Sequence, residues 1–427
     1  MRSATAEEDL SLYVIVIGLD RFEQLNGSLG HEVGDSLLNI LGRRLSRFIG
    51  AEDTLARLRG DQFGIIFRAS RPLREVNAFV EELHAALAEP VSLRPREVVV
   101  ATSIGVARLR HGGVDPEELL KDAEVALYEA IRKGRSAVEF FNPDMRDERS
   151  RLISLEQDLR RAVERNEIEV VFQPIMRLST RELAGFEALI RWRRGGEVLM
   201  EPDGFIGLAE EIGIIRDIGR YVLTQSVRQA GIWYRAFRPR DPIYVAVNLS
   251  SAELLNADLV DEVRALLTRE DVHPQALRIE ITESLVMENL ELSEKILDRL
   301  RQMGVGLSCD DFGTGYSALS SLRRLPFDTL KMDKSFLDHG SDDERAQILL
   351  ESVLMLAHDL GLNVVAEGVE REEQLERLSE LGCDFGQGFF IGAPASSKQV
   401  MEALSGLPYS TGARGGMQGF WARFIGR

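Results

Sequence analysis

From residue 168 onward one pattern repeats. Short apolar runs at 168–176, 184–190, 243–248, 277–282, 305–310, 327–332, 363–367 and 385–390 alternate, for the most part, with stretches of amphipathic-helix spacing. Apolar runs of this length suit strands that are covered on both faces. Eight of them in about 240 residues predict a (β/α)8 TIM-like barrel, an α/β fold.

Seven of these runs carry polar residues that a buried strand would not tolerate singly. FEALIRW carries Glu187 and YVAVNLS carries Asn248. LRIEITES carries Glu280 and Glu283, and LSCDDFG carries Asp310 and Asp311. TLKMDKS carries Lys331 and Asp333, VVAEGVE carries Glu367 and Glu370, and FGQGFF carries Gln387. One buried carboxylate or lysine is costly and is usually a satisfied structural group. Seven strands that each deliver one describe a site, because the carboxyl ends of barrel strands converge on one face. Oxygen donors with one amide, and no thiolates or histidine pairs, suit Mg2+ or Mn2+ rather than structural zinc. Adjacent Asp310 and Asp311 can serve two ions about 3.5–4 Å apart, the arrangement used for phosphodiester cleavage. The residues alone therefore point to a two-metal phosphoester hydrolase.

The motifs EAL (187–189), VNLS, EITES, DDFGTGYS, LKMDKSF, AEGVE and QG stand in order between about residues 160 and 405. Together they resemble the EAL-domain phosphodiesterases, whose substrate is cyclic di-GMP and whose product is linear pGpG. The resemblance implies that Glu187, Asn248, Glu280 and Asp310 hold a first metal. It implies that Asp310 bridges to a second metal held by Asp311, with Glu367 nearby. Lys331 matches the lysine that contacts the hydrolytic water or a phosphate oxygen, and Glu367 is the other candidate for assisting proton transfer. Gln173 and Arg191 match substrate-facing positions, and Gln387 matches the glutamine beside the metals. Glu283 matches a glutamate that anchors the loop after DDFG. Asp333 and Glu370 are read as supports of the site or as structural residues. Gly313 and Gly315 read as hinges of that loop. Barrels of this family commonly pair near it, so a homodimer is expected in which segment 312–318 couples pairing to the site. One departure is Gly392-Ala393-Pro394, where the family commonly has Ser-Arg-Pro. The rival readings are a barrel that binds cyclic di-GMP without cutting it and a silent scaffold for protein partners.

The first part of the chain carries its own resemblance. GLDRFEQLNGSLGHEVGDSLL at 18–38 and RGDQF at 59–63 are similar to the GGDEF domain of diguanylate cyclases. Cyclases need carboxylates to hold Mg2+ against a triphosphate. Here the family's first metal aspartate falls at Gly18. Arg59 brings bulk to the nucleotide turn, Gln62 replaces a carboxylate, and Glu23 stands where a phosphate-binding lysine is usual. The expectation is a domain without cyclase activity. The guanine-facing positions persist as Asn26 and Asp35 and could hold GTP for regulation. The inhibitory product site is expected to be missing, because Gly50-Ala51-Glu52-Asp53 has no arginine. The segment before the first strand is shorter than in cyclases, as in a fragment of a longer sensor protein or a naturally shortened one.

Four segments are expected: a GGDEF-like domain at 10–140, a linker helix at 141–160, the barrel at 161–407 and a flexible tail at 408–427. The linker rests on Leu152, Leu155, Leu159, Ala162 and Val163 at helical spacing. The tail holds Phe420, Trp421, Phe424 and Ile425 among glycines and arginines. A net charge of −17 argues against general adhesion to nucleic acid or anionic lipid. Cys309 and Cys383 are the only cysteines and read as small core residues, which with the absence of a signal-peptide core predicts a reducing, cytoplasmic setting.

Overall fold

A computed structural model describes residues 11–69, 72–93, 96–109, 115–237, 243–313, 324–337 and 344–405. The chain divides into two units, Met1–Leu155 and Glu156–Arg427.

In the first unit the apolar run at 12–19 becomes β1 (Ser11–Leu19). It is the middle strand of a five-stranded sheet, which explains why both its faces are apolar. Ile15 and Ile17 point one way and Val16 the other, and all three are buried. The apolar runs on either side of Arg59-Gly60-Asp61-Gln62 form a hairpin of β2 (Thr54–Arg57) and β3 (Gln62–Ala69). Strands β4 (Val91–Leu93) and β5 (Arg96–Val98) form a separate ribbon. The apolar run at 98–109 is therefore split, and its sheet portion is β6 (Thr102–Arg108). β7 (Val138–Phe140) pairs parallel with β6. An amphipathic helix runs from His31 to Leu45. Gly30, at φ +90°, separates it from the helix before and fixes its start. The helix Pro116–Arg132 opens with the Asp115 carboxylate accepting from the Glu117 amide at 3.1 Å.

The linker residues form a helix over Asp144–Ala162, which spans the boundary between the units. The barrel strands follow: β8 (Ile168–Arg177), β9 (Glu182–Arg194), then β10 (Glu197–Met200) as a hairpin arm, and β11 (Tyr244–Asn248). After these come β12 (Leu277–Thr282), β13 (Gly306–Phe312), β14 (Thr329–Met332), β15 (Asn363–Ala366) and β16 (Phe385–Gly386). Pairing of β8 with both β9 and β16 closes eight strands into a barrel, and β17 (Ala395–Ser396) adds to the edge of β8.

Two expectations need correction. The barrel is not eight repeats of one strand–helix unit, because β8 runs antiparallel to both neighbours. Only residues 178–181 connect β8 to β9, whereas a parallel connection needs a crossover of about a dozen residues or more. The last strand ends at Gly386 rather than reaching residue 390. Gly388 lies against the Val369 backbone so closely that a Cβ there would stand 2.2 Å from its nitrogen and oxygen. The chain leaves the sheet at that contact.

Outside the barrel, Trp233 of the helix Ile215–Phe237 packs against Phe172 and Phe186 at ring distances of 4.9 and 4.8 Å. Inside, Ile175, Ala184, Tyr244, Ala246, Val365 and Phe385 form an apolar layer. The polar residues sit above this plug.

Candidate active site and metal centre

Strand alternation sets the side of each residue. Ala246 faces the barrel interior, so Asn248 two positions on does as well. Register then places Asn248 beside Glu280, Glu280 beside Ser308, and Glu187 beside Gln173. The carboxyl ends of seven parallel strands deliver the rest.

Lys331 is the hub of the result. Its Nζ lies 2.7 Å from Glu367, 2.8 Å from Glu280, 3.2 Å from Asp310 and 3.5 Å from Glu187. These four carboxylates come from or directly follow four different strands. Glu187 also accepts hydrogen bonds from Asn248 Nδ2 at 2.8 Å and Gln387 Nε2 at 2.6 Å. Gln387 Nε2 is shared with Gln173 Oε1 at 3.1 Å, and Gln173 Nε2 donates to the Gly392 carbonyl at 3.2 Å. The structure thus gathers Gln173, Glu187, Asn248, Glu280, Asp310, Lys331, Glu367 and Gln387 into one network.

Asp311 stands at the rim. Its backbone is left-handed, φ +55°, where the β13–β14 pairing slips. Such a conformation costs about 1–3 kcal/mol and clusters at functional sites. Carboxylate oxygens of Asp310, Asp311 and Glu367 all lie within 4.8 Å of one another.

The electrostatics follow from crowding. Burial opposes the charge on Glu187, but the Lys331 ammonium and the amides of Gln387 and Asn248 outweigh it, and its carboxyl lies below the ordinary range. Burial pushes Glu280 well up, and Glu187 and Asp310 repel its charge further, against the opposing pull of Lys331. Burial likewise lifts Glu367 to about 7 and raises Asp311, with Asp310 adding to it. Burial disfavours the Lys331 ammonium, yet the surrounding carboxylates hold it charged well past its usual range. Four carboxylates share this one ammonium and Asp311 stands beside them, so negative charge is left over. Gln387 Oε1 is buried without a hydrogen-bond partner. The surplus charge and the oxygen-rich donor set fit hard divalent cations.

Other expected residues fall elsewhere. Arg191 turns to Glu201 at 2.8 Å rather than into the cluster. Asp333 is a cap, its Oδ1 accepting from the Ser335 amide at 2.9 Å. Glu370 is exposed and contributes its backbone amide to Gln374. Glu283 is buried at the start of the helix Glu283–Glu288, while the loop it was expected to anchor, Gly315 included, lies outside the described residues, as does the tail. Cys309 and Cys383 are buried free thiols, both pushed up to about 12 by burial.

Sequence reasoning missed the support behind Asn248. The Glu253 carboxylate accepts from Ser250 N at 3.0 Å and Ser250 Oγ at 2.6 Å, closing a capping box two residues after Asn248. The Ser-x-x-Glu spacing was the available signal.

In the first unit Gly18 pairs directly with Gln62 across β1 and β3, so two of the altered cyclase positions are neighbours. Arg59 is exposed and reaches Glu124 at 3.1 Å. Asn26 Oδ1 is buried against Gly34, and Asp35 is exposed. A cavity of about 390 Å³ opens beside Arg59, Gln62, Tyr128 and Arg149. The 610 Å³ cavity of the second unit lies outside the barrel, at Arg193 and Tyr221, and includes none of the carboxylate set.

Comparison with known proteins agrees with this anatomy. Residues 156–394 match the EAL domain family and residues 1–137 the diguanylate cyclase GGDEF domain family. The bifunctional diguanylate cyclase/cyclic di-GMP phosphodiesterase MucR of Pseudomonas aeruginosa is 36% identical over 93% of this chain and 58% of its own length. The cyclic di-GMP phosphodiesterase NbdA of the same organism is 37% identical over 92% of this chain and 50% of its own. The chain thus spans little more than half of these relatives. A structure of the PaMucR phosphodiesterase in complex with c-di-GMP is 40% identical, covers 58% of this chain and 99% of its own, and superposes with a TM-score of 0.55. The chain belongs to the EAL domain family, with a GGDEF domain in front of the barrel.

Proposed function

We propose that the barrel hydrolyses cyclic di-GMP to linear pGpG with Mg2+ or Mn2+, and that the GGDEF domain regulates without cyclase activity. The observation that carries this is the complete strand-end set: five carboxylates, Asn248 and Lys331 on one face of the barrel. Glu187, Asn248, Glu280 and Asp310 would hold one cation, and Asp310 and Asp311, with Glu367, the other. Cations held there would supply a deprotonated water for in-line attack and would offset the charge that builds on phosphorus. Lys331, fixed by four carboxylates, presents a preset positive charge to a phosphate oxygen. Glu367 is the group whose proton moves in the neutral range, and it lies at the edge of the cluster. Gln173 and Gln387 orient the substrate, and Gly392-Ala393-Pro394 lacks the Ser and Arg side chains that would contact its purines.

An intact ligand set favours an enzyme over a receptor. In the first domain, Gly18 and Gln62 remove two carboxylates from one point of the sheet, which supports loss of cyclase chemistry. Regulation through GTP there and pairing of two barrels remain part of the proposal.

Purified chain incubated with cyclic di-GMP and Mn2+ or Mg2+, with and without GTP, tests it by chromatography. Formation of pGpG supports the enzyme, and a GTP effect supports the regulatory domain. Unchanged cyclic di-GMP with retained binding would move the reading to a receptor.

A further inference from the structure

Beneath the catalytic layer lies a group of polar atoms that the reaction does not use. Tyr244 Oη, Ser308 Oγ, and Nε and Nη1 of Arg278 are buried without hydrogen-bond partners. Tyr244 is 7% exposed and Ser308 wholly enclosed. Leaving one such group unsatisfied costs about 1–3 kcal/mol, so several together in a native interior call for an explanation.

Their placement is specific. All three residues occupy inward positions on the adjacent strands β11, β12 and β13. Arg278 precedes Glu280 by two residues on the same strand, Ser308 is the lateral partner of Glu280, and Tyr244 lies diagonally below. The Arg278 guanidinium stacks over the Tyr244 ring at 4.3 Å. It reaches Asp328 at 3.3 Å through Nη2, which leaves Nε and Nη1 free to donate. Glu280 takes Lys331 from one side. Ser308 flanks Glu280 across the β12–β13 ladder, and Arg278 lies one inward step below it on the same strand.

We propose that Tyr244, Arg278 and Ser308 are positioning residues that hold enclosed water against the underside of Glu280 and fix that carboxylate as a metal ligand. Water suits the set better than an anion. It accepts from Arg278, exchanges donors with the two hydroxyls, and donates to a carboxylate that would repel an anion. Partners behind a metal ligand set its orientation, and their loss weakens metal binding about 10–100-fold.

The inference rests on the metal reading above, and one experiment separates the two. Mn2+ binding by calorimetry and thermal unfolding in EDTA are measured for the full chain, Tyr244→Phe and Ser308→Ala. The expected result is Mn2+ affinity reduced about tenfold in each variant with the fold retained. Unchanged affinity with a raised melting temperature in Tyr244→Phe would overturn the inference, since removing an orphaned hydroxyl then merely relieves a penalty. A parent chain that binds no Mn2+ would overturn the metal reading, and this inference with it.

Discussion

Lys331 Nζ and Glu280 Oε2 are 2.8 Å apart, and each side chain is only 1% exposed. A pair this deep is stable only while both members are present, because a lone buried charge has no solvent to turn to.

Lys331→Met leaves four carboxylates facing one another. It is expected to destabilise the metal-free chain by about 3–5 kcal/mol, a fall in melting temperature on the order of 10 °C. Mn2+ should restore part of the loss, since a cation that binds only the folded state stabilises it. Thermal unfolding in EDTA and in Mn2+ measures both, and turnover of cyclic di-GMP should fall below detection.

Glu187→Ala removes the acceptor shared by Asn248 and Gln387. Turnover should be abolished and Mn2+ binding weakened at least about tenfold. Full activity in this variant would end the metal role assigned to Glu187.

The lifted Glu367 carboxyl gives a sign to the pH dependence. Its folded value, about 7, exceeds that of an unfolded carboxylate. The folded chain therefore holds more protons between those values, and metal-free stability falls as pH rises through that window. Mn2+ requires the ionised form, so its affinity should rise up to about tenfold per pH unit below 7 and level off above. Unfolding and calorimetry from pH 5 to pH 9 test the two opposed trends.

Gly219 faces Glu253 so closely that a Cβ would stand 1.7 Å from Oε1. Gly219→Ala should displace Glu253 from the Ser250 capping box, cost about 1–3 kcal/mol by denaturant unfolding, and loosen Asn248 enough to raise the Mn2+ dissociation constant.

The GGDEF domain should release no pyrophosphate from GTP with Mg2+, because Gly18 and Gln62 face each other where carboxylates would be needed. A coupled pyrophosphate assay decides it.

Much of the site was legible because the sequence states what each strand end carries. Glu187, Asn248, Glu280, Asp310 and Lys331 could be placed on one face from strand alternation and barrel geometry. What could not be read was convergence: nothing local shows that one ammonium reaches four carboxylates. Asp333 was ambiguous because a strand end and a helix cap occupy the same place in sequence, and the Ser335 amide decided between them. The reversal of β8 was hidden because an apolar run has no direction. The short step from Arg177 to Glu182 held the answer. Arg278 was visible as a charge inside an apolar strand, but its stacking on Tyr244 depends on a neighbouring strand's register.

The reversed first strand also decides where the chain enters the barrel. Because Ile168 pairs with Trp192, the helix ending at Ala162 joins the sheet at its catalytic rim instead of its base. From there Gln173 is five residues away along a straight strand, and Gln173 grips both Gln387 and the Gly392 carbonyl. The strand that follows this helix is therefore the one that carries Gln173 to the residues that hold Glu187 in place.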